Sequence, residues 1–446
     1  MGSDTVPQAD EAYRQRMERW AEAPGVEFAS ARVRAAYQER VGLLWDAIEL
    51  RKPKRVPVAP WMGLFPLRYC GFTARDAFYD REKLEKASRR FHEDFAPDTL
   101  QGSMAMVPGE VFDILDYRMF DWPGHGTADD ASYQYREAEY MRDDEYGMLV
   151  DDLGGFWLQR FLPRVFGALE PLGSLPAPTD LVEMYSVAPY LAAFGEPAMQ
   201  QMLKKLAEAG RAAARWLDDV LAIDTSILST MGMPELGGGV TKAPYDILAD
   251  TLRGTRGSML DRFRRPNDIL AAVERLIPVA IDWGAGSSED VDCPLVFMPL
   301  HKGADGFMSD ADFREFYWPS LKAVINGLIE QGLVPLLFAE GSYNDRLEVI
   351  ADPDIPTGRT VWMFDTTDMV AARDHLRGFA CFGGNVPGSL LKVGTPEEVD
   401  TYVRGLLESV AGDGGFILST GIVVDDARPE NIMAMMEAGR RYGRAV

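Results

Sequence analysis

The sequence predicts an α/β fold, a (β/α)8 TIM barrel with an N-terminal helical extension and an insertion, and three observations carry that expectation. Short apolar runs alternate with helical stretches through the second half of the chain, as in LVPLLFA (333–339) and GGFILST (414–420). These runs are apolar throughout rather than at every second residue, the pattern of parallel strands buried on both faces. Three early runs and five late ones give about eight strands, the number that closes a barrel.

Taken in order, residues 1–50 read as a polar helical extension, with the apolar positions of ARVRAAYQERVGLLWDAIEL at helical spacing. The barrel is expected over 51–446. RVPVAPW (55–61) reads as a first strand, because Val and Pro alternate and no helical period survives. A helix over 75–95 ends before Pro97, and DTLQGS (98–103) is the second strand. Residues 104–190 are rich in Tyr, Trp, Pro, Gly and acids and lack a clear period, so they read as an insertion. Its rings (Phe112, Tyr117, Trp122, Tyr133, Tyr135, Tyr140) pack it onto the barrel or cover a planar ligand. An Ala- and Leu-rich helix over 196–222 leads into IDTSILSTM (223–231), read as a third strand. PLVFMPL (294–300), a helix over 310–331, LVPLLFA, RTVWMF (359–364), GFACFGG (378–384) and GGFILST complete the alternation. Thr395, Pro396 and Glu397 open one of the late helices, and the last begins near 429.

Composition narrows the function. With 46 basic and 69 acidic residues the chain carries a formal charge of −23, so phosphate backbones and anionic lipid surfaces are repelled. Neither nucleic acid nor membrane is expected as a partner, and a small-molecule substrate is. No apolar run reaches the 18 residues of a membrane span. Cys70, Cys293 and Cys381 lie far apart with no CxxC, which fits a reducing, cytoplasmic setting.

Barrel enzymes place their chemistry just past the C-terminal ends of the strands. Read there, the chain offers Trp61, His301, Glu340, Asp365 and Asn385. His301 ends an apolar strand, whereas His92 and His375 sit in charged helical surroundings expected at the surface, and His125 in a Gly-rich turn. Glu340, His301 and Asp365 are the catalytic candidates, with Trp61, Phe65, Arg68, Tyr343 and Asn385 as substrate-binding candidates. The competing structural roles are a pairing of Glu340 with Arg346, a helix cap for Asp365, a turn for Asn385, and pairing of Arg68 with an acid. No P-loop, GxSxG or GxGxxG is present, so nucleotide and triad chemistry lack support.

Five stretches carry a family resemblance: FREFYWPSLKAVINGLIEQGLVPLLFAEG, FGGNVPGSLLKVGTPEEVDTYVRGLLESVAGDGGFILSTG and RPENIMAMMEAGRRYG, with PYDILADTLRGTRGSMLDRFRRPNDIL (244–270) and RVPVAPW in the same pattern. They resemble the uroporphyrinogen decarboxylase superfamily, which also contains cobamide-dependent methyltransferases. The resemblance spans about 40–103 and 225–446, is loose over 104–190, and implies a TIM barrel, often a homodimer. Two departures matter. Methylthiol-forming members carry a zinc-holding His-x-Cys pair where this chain has Phe338 and Glu340, with a further cysteine in the last loop, here STGIVVDD. The decarboxylases carry an arginine-rich segment after the first strand to hold a substrate with many carboxylates, where this chain has Arg68 alone in WMGLFPLRY. The last-loop histidine of those enzymes is also missing here.

A carboxylate at 340 could still ligate zinc or a harder cation with His301 or Asp365, or transfer protons without a metal. Three functions follow. The first is a methyltransferase (demethylase) acting on a small methylated compound, its corrinoid supplied by a separate carrier protein, because the chain has no Asp-x-His-x-x-Gly motif. The second is a decarboxylase or carbon–carbon lyase on a smaller acid, with Arg68 holding a carboxylate. The third is a non-catalytic tetrapyrrole or corrinoid binding protein.

Overall fold

The computed structural model describes residues 5–103 and 106–444. Its main sheet has six parallel strands in the order β4-β5-β6-β7-β8-β9. These are β4 (Gly239–Val240), β5 (Leu295–Leu300), β6 (Val334–Ala339), β7 (Val361–Phe364), β8 (Cys381–Val386) and β9 (Phe416–Thr420). A smaller sheet of β1 (Phe120–Pro123), β2 (Gly126–Thr127) and β3 (Gln134–Tyr135) lies in the insertion. Strand order follows chain order because each crossover returns through a helix to the neighbouring position.

All six residues of β6 are buried, which explains its unbroken apolar run. Val334, Leu336 and Phe338 share one cluster with Leu295, Val361, Met363, Cys381 and Ile417. Leu337 and Ala339, pointing the other way, join the core formed with the surrounding helices. The alternation carries on past the strands, so Glu340 follows Phe338 on the inner face, and His301 likewise follows Phe297 of β5.

The N-terminal extension forms two helices, Thr5–Glu22 and Ala31–Ile48, the second capped by Ser30. Their buried residues Met17, Trp20, Val41 and Leu44 pack with Leu295, Val334, Val361 and Cys381, the first residues of four strands or close to it. The extension therefore covers the N-terminal end of the sheet, leaving the opposite end for chemistry.

The early strands are shorter than the sequence predicts. RVPVAPW contributes a single parallel bridge, Val58 to Leu418, and DTLQGS one, Leu100 to Glu235. These bridges, with the hydrogen bond from Asp98 N to Val58 O (2.9 Å), carry the parallel pairing on beyond β9 and β4, as expected of a TIM barrel. IDTSILSTM is not a strand. It is the end of a 35-residue helix, Pro197–Met231, in which Ile223 and Ile227 are buried one turn apart. That helix stops at Gly232, whose φ of 65° suits a left-handed terminus. His92 is also corrected: it is buried rather than at the surface, its Nδ1 2.7 Å from Ser88 O and its Nε2 accepting from Gln101 N at 2.9 Å. Burial pushes its imidazole down to about 4, so it stays neutral in the core.

Candidate active site

His301 leaves the end of β5 into a cluster of charges that the sequence reading only half found. Its Nδ1 lies 2.6 Å from Asp250 Oδ2, and its Nε2 faces Glu340 Oε1 at 3.5 Å. Asp250 also takes Lys242 Nζ at 2.7 Å and Lys302 Nζ at 3.1 Å. One turn earlier, fully buried Asp246 accepts from the backbone N–H groups of His301 (3.1 Å) and Lys302 (2.9 Å) and from Tyr317 OH (2.7 Å). Asp246 thus fixes the backbone at the strand end, and Asp250 fixes the imidazole ring.

The two aspartates sit on Pro244–Asp246 and the π-helical turn Ile247–Leu252, and Tyr317 closes a second π-helical turn, Phe313–Tyr317. Such turns re-aim side chains inside a helix and recur at functional sites. The signal for Asp246 and Asp250 was their spacing in PYDILAD, four residues apart on one helical face.

Electrostatics decide the protonation. Asp246, Asp250 and Glu340 face Lys242 and Lys302, so a protonated His301 balances the cluster. Burial opposes that charge, but hydrogen bonds to Asp250 and Glu340 and the fields of Asp250 and Asp246 raise the imidazole to about 10. Burial alone would raise the Asp250 carboxyl, yet the His301 hydrogen bond and the two lysines hold it well below the usual carboxylate range. Asp246 moves upward, through burial and then the nearby Asp250 charge. Site chemistry therefore starts from an imidazolium whose Nδ1–H is held and whose Nε2–H is presented toward Glu340.

Glu340 is half exposed at the mouth and is not paired with Arg346, which is buried among Gly303 O, Met308 O, Asp305 and Asp310. Asp365 Oδ2 accepts from Gly341 N at 3.0 Å, and burial, then Glu340, raises its carboxyl. It does not cap the following helix; Asp368 does, accepting from Val370 N and Ala371 N. Asn385 is buried and donates to the carbonyls of Asp365 and Thr367, both at 2.9 Å, so it positions the β7 end. Trp61 lies against Phe297 and Phe338, at centroid distances of 5.2 and 5.5 Å, forming an aromatic floor inside the sheet.

The other binding candidates lie further out. Phe65 is packed in the core against Tyr69, Phe91 and Phe95. Tyr343 is fully buried, its hydroxyl 3.3 Å from Leu300 O. Arg68 donates to Asp130 O at 2.7 Å and lies 3.4 Å from Asp426, so acids of its own chain already engage it. The insertion closes over the same end: Tyr135 OH donates to the Asp250 carbonyl. Tyr133 stacks edge-on against Phe120 at 5.6 Å, and burial, then the charges of Asp425 and Glu340, raises its phenol. A groove of about 830 Å³ beside Asp365 and Asn385 is lined by Met369, Val370, Tyr402 and Ile422.

A resident metal finds few donors here. His301 Nδ1 is engaged by Asp250, and among the described residues no group of three His, Cys, Asp or Glu side chains comes together as a ligand set. A catalytic zinc ion takes three protein ligands, and His301 with Glu340 supplies two. The donor set does not fit a resident zinc ion.

The family model for uroporphyrinogen decarboxylase (URO-D) matches residues 197–442. No curated protein matches the sequence. Among solved structures, a methyltransferase from Methanosarcina mazei superposes with a TM-score of 0.59 at 13% identity, over 90% of this chain and 98% of the other. A B12-independent methionine synthase from Shewanella sp. W3-18-1 reaches a TM-score of 0.32 at 12% identity, over 46% of this chain and 60% of its own. The first supports a shared fold; the second is too distant to carry an argument. No helix among the described residues is long and apolar enough to cross a membrane.

Proposed function

Since the chain belongs to the uroporphyrinogen decarboxylase (URO-D) family, we propose that it is a methyltransferase on a closed TIM barrel. It would remove a methyl group from oxygen or nitrogen of a small compound and pass it to a corrinoid on a separate carrier protein. The observation that carries this reading is the imidazolium of His301, held at Nδ1 by Asp250 (2.6 Å) with Nε2–H turned to the mouth. A heteroatom losing a methyl group keeps the bonding electron pair and needs a proton, and a positioned acid there is worth about 10²–10⁴ in rate. His301 Nε2 gives that proton to the leaving atom, and Glu340 at the mouth relays its replacement from solvent. The corrinoid, when present, supplies the electron pair of the new bond to the methyl carbon. Trp61, Phe297 and Phe338 offer an apolar floor for the methylated group. The Methanosarcina mazei protein that shares the fold is a methyltransferase, which agrees with this class of reaction.

A second reading rests on the same imidazolium. After loss of CO2 from a small acid, His301 would return a proton to the carbanion, as a decarboxylase or lyase requires. Arg68, already engaged by Asp130 and Asp426, weighs against it as a carboxylate clamp. The deciding experiment supplies reduced free cobalamin and a panel of methyl ethers, methylamines and small acids, and follows both methylated cobalamin and CO2. Methylated cobalamin formed by the wild type and reduced about 10²–10⁴-fold in His301→Gln is the expected result. Release of CO2 without methyl transfer selects the second reading. Tight corrinoid binding with neither product, unaffected by His301→Gln, leaves a non-catalytic binding protein.

A further inference from the structure

Away from the cluster around His301, a second cavity of about 310 Å³ opens between four helices, Ala74–Tyr79, Arg81–Phe95, Gly109–Leu115 and Pro197–Met231. None of the groups assigned above to the candidate active site lines it. Leu84, Val220 and Ile223 give it apolar walls, and they belong to the cluster that packs these helices around Leu100. Tyr79 and Trp216 add aromatic surface. Its volume is at the lower end for a ligand cavity, with room for a one- or two-ring molecule and far too little for a corrinoid.

The two aromatic walls differ in how they are held. The Tyr79 hydroxyl accepts from Trp122 Nε1 at 2.9 Å and donates to Asp113 at 3.2 Å, so its ring is pinned. That ring lies on the backbone of Gly109, where a Cβ would come within 2.5–2.8 Å of three ring carbons. A larger residue at 109 would push the tyrosine from its seat. Trp216 is half-buried, and among the described residues its indole N–H has no acceptor. A donor in such a place gains from any acceptor that enters the cavity.

The charged residues of the lining narrow the ligand by elimination. Arg81 Nε pairs with Asp219 at 2.8 Å, Arg215 Nη2 with Glu110 at 2.9 Å, and Asp80 with Lys83 at 3.5 Å. Each charge there already has a partner, so nothing is left over to hold an ionic ligand. Aromatic faces and one free N–H suit a flat, uncharged ring that carries an acceptor atom. We propose that this cavity is a second ligand site, for a neutral one- or two-ring aromatic molecule that packs on Tyr79 and Trp216 and accepts from the Trp216 N–H. Its occupant touches Ile223, next to Asp224, whose carboxylate takes the Ser103 N–H at 2.9 Å. The site thus adjoins the turn that fixes the end of the 98–103 segment.

Calorimetric titration of the full-length protein with two probes tests this: quinoline, whose ring nitrogen is an acceptor, and indole, which offers a donor instead. Quinoline should bind saturably at one site per chain, and more tightly than indole. Trp216→Phe keeps a ring in the wall and removes the N–H, so it should weaken quinoline about 2–10-fold and indole by less than about twofold. Val111→Trp, at a half-buried position on the cavity wall, should fill the space and abolish both, whereas His301→Gln should change neither. Gly109→Ala, which displaces the Tyr79 ring, should weaken both probes and decides the matter should Val111→Trp fold poorly by circular dichroism. Absence of saturable quinoline binding, binding that survives the filled or displaced wall, loss of binding in His301→Gln, or equal effects of Trp216→Phe on the two probes overturns the proposal.

Discussion

His301 has its proton held by geometry on one side and by charge on the other, and the consequences follow pH. Its folded value of about 10 lies above the ordinary 6.5, so this group stabilises the fold fully below about 6.5. That contribution is lost as pH rises through about 10. As the proton donor, His301 predicts activity that falls on the alkaline side near the same pH. Asp250→Asn removes the carboxylate that raises the imidazole most, so the alkaline limb should move toward neutral pH; an unmoved limb in the variant's rate profile would remove Asp250 from this role. Elemental mass spectrometry should find no stoichiometric metal whose content falls in Glu340→Ala, because two donors do not make a zinc site. At this scale the sequence displayed His301, Glu340, Asp365 and Asn385 because each stands just past a buried apolar run. Asp246, Asp250 and Lys242 stayed hidden because they lie in PYDILAD and just before it, a helical stretch with no strand to mark it. His92 was misplaced because charged neighbours masked its position, one turn from Ser88 and beside Phe91 on the buried face.

The elements repeat that contrast between apolar and polar signals. Strands β5 to β9 were legible because a strand buried on both faces needs an unbroken apolar run, and little else in such a chain produces one. β4 was not, since its two residues are Gly239 and Val240 in a glycine-rich stretch. IDTSILSTM misled through its β-branched residues, although no Gly or Pro separates it from the helix before it and Ile223 and Ile227 keep the helical spacing. Within β8, Gly384 has φ of 120° and a Cβ there would run into the carbonyl oxygen of Phe364. Gly384→Ala should therefore cost about 2–4 kcal/mol in urea unfolding, from backbone strain and overpacking together. Because Asn385 is the next residue and anchors the β7 end, the same variant should lose activity even at temperatures where it remains folded. Full activity in a folded Gly384→Ala protein would mean that Asn385 does not set the position of Asp365.

For the whole molecule, the α/β class and the family were readable from the C-terminal half, whereas the way the chain's first segments join the sheet was not. That joining rests on one buried carboxylate. Asp98 takes both Arg55 Nη1 and Nη2 at 2.6 Å and the Val58 N–H at 2.8 Å, with Arg40 Nε at 3.9 Å. It thereby ties together the second helix of the extension, the segment at 55–58 and the segment at 98–100. The 55–58 segment in turn is bonded to β9, Leu418 N donating to Pro57 O at 3.0 Å and Ala59 N to Leu418 O at 2.9 Å. Asp98→Ala leaves two largely buried guanidinium groups without a counter-charge. Breaking a buried pair from one side costs about 3–5 kcal/mol, far more than an exposed pair such as Arg314 with Asp310 contributes. Urea unfolding of Asp98→Ala should show a loss of that size, and Arg314→Ala almost none. The loss should also be local before it is global: amide exchange at Ala59 and Leu418 should speed up ahead of β6, whose backbone is paired on both sides. If exchange in β6 rises as much as at Leu418, Asp98 supports the fold as a whole and the first segments are held to β9 by their backbone alone.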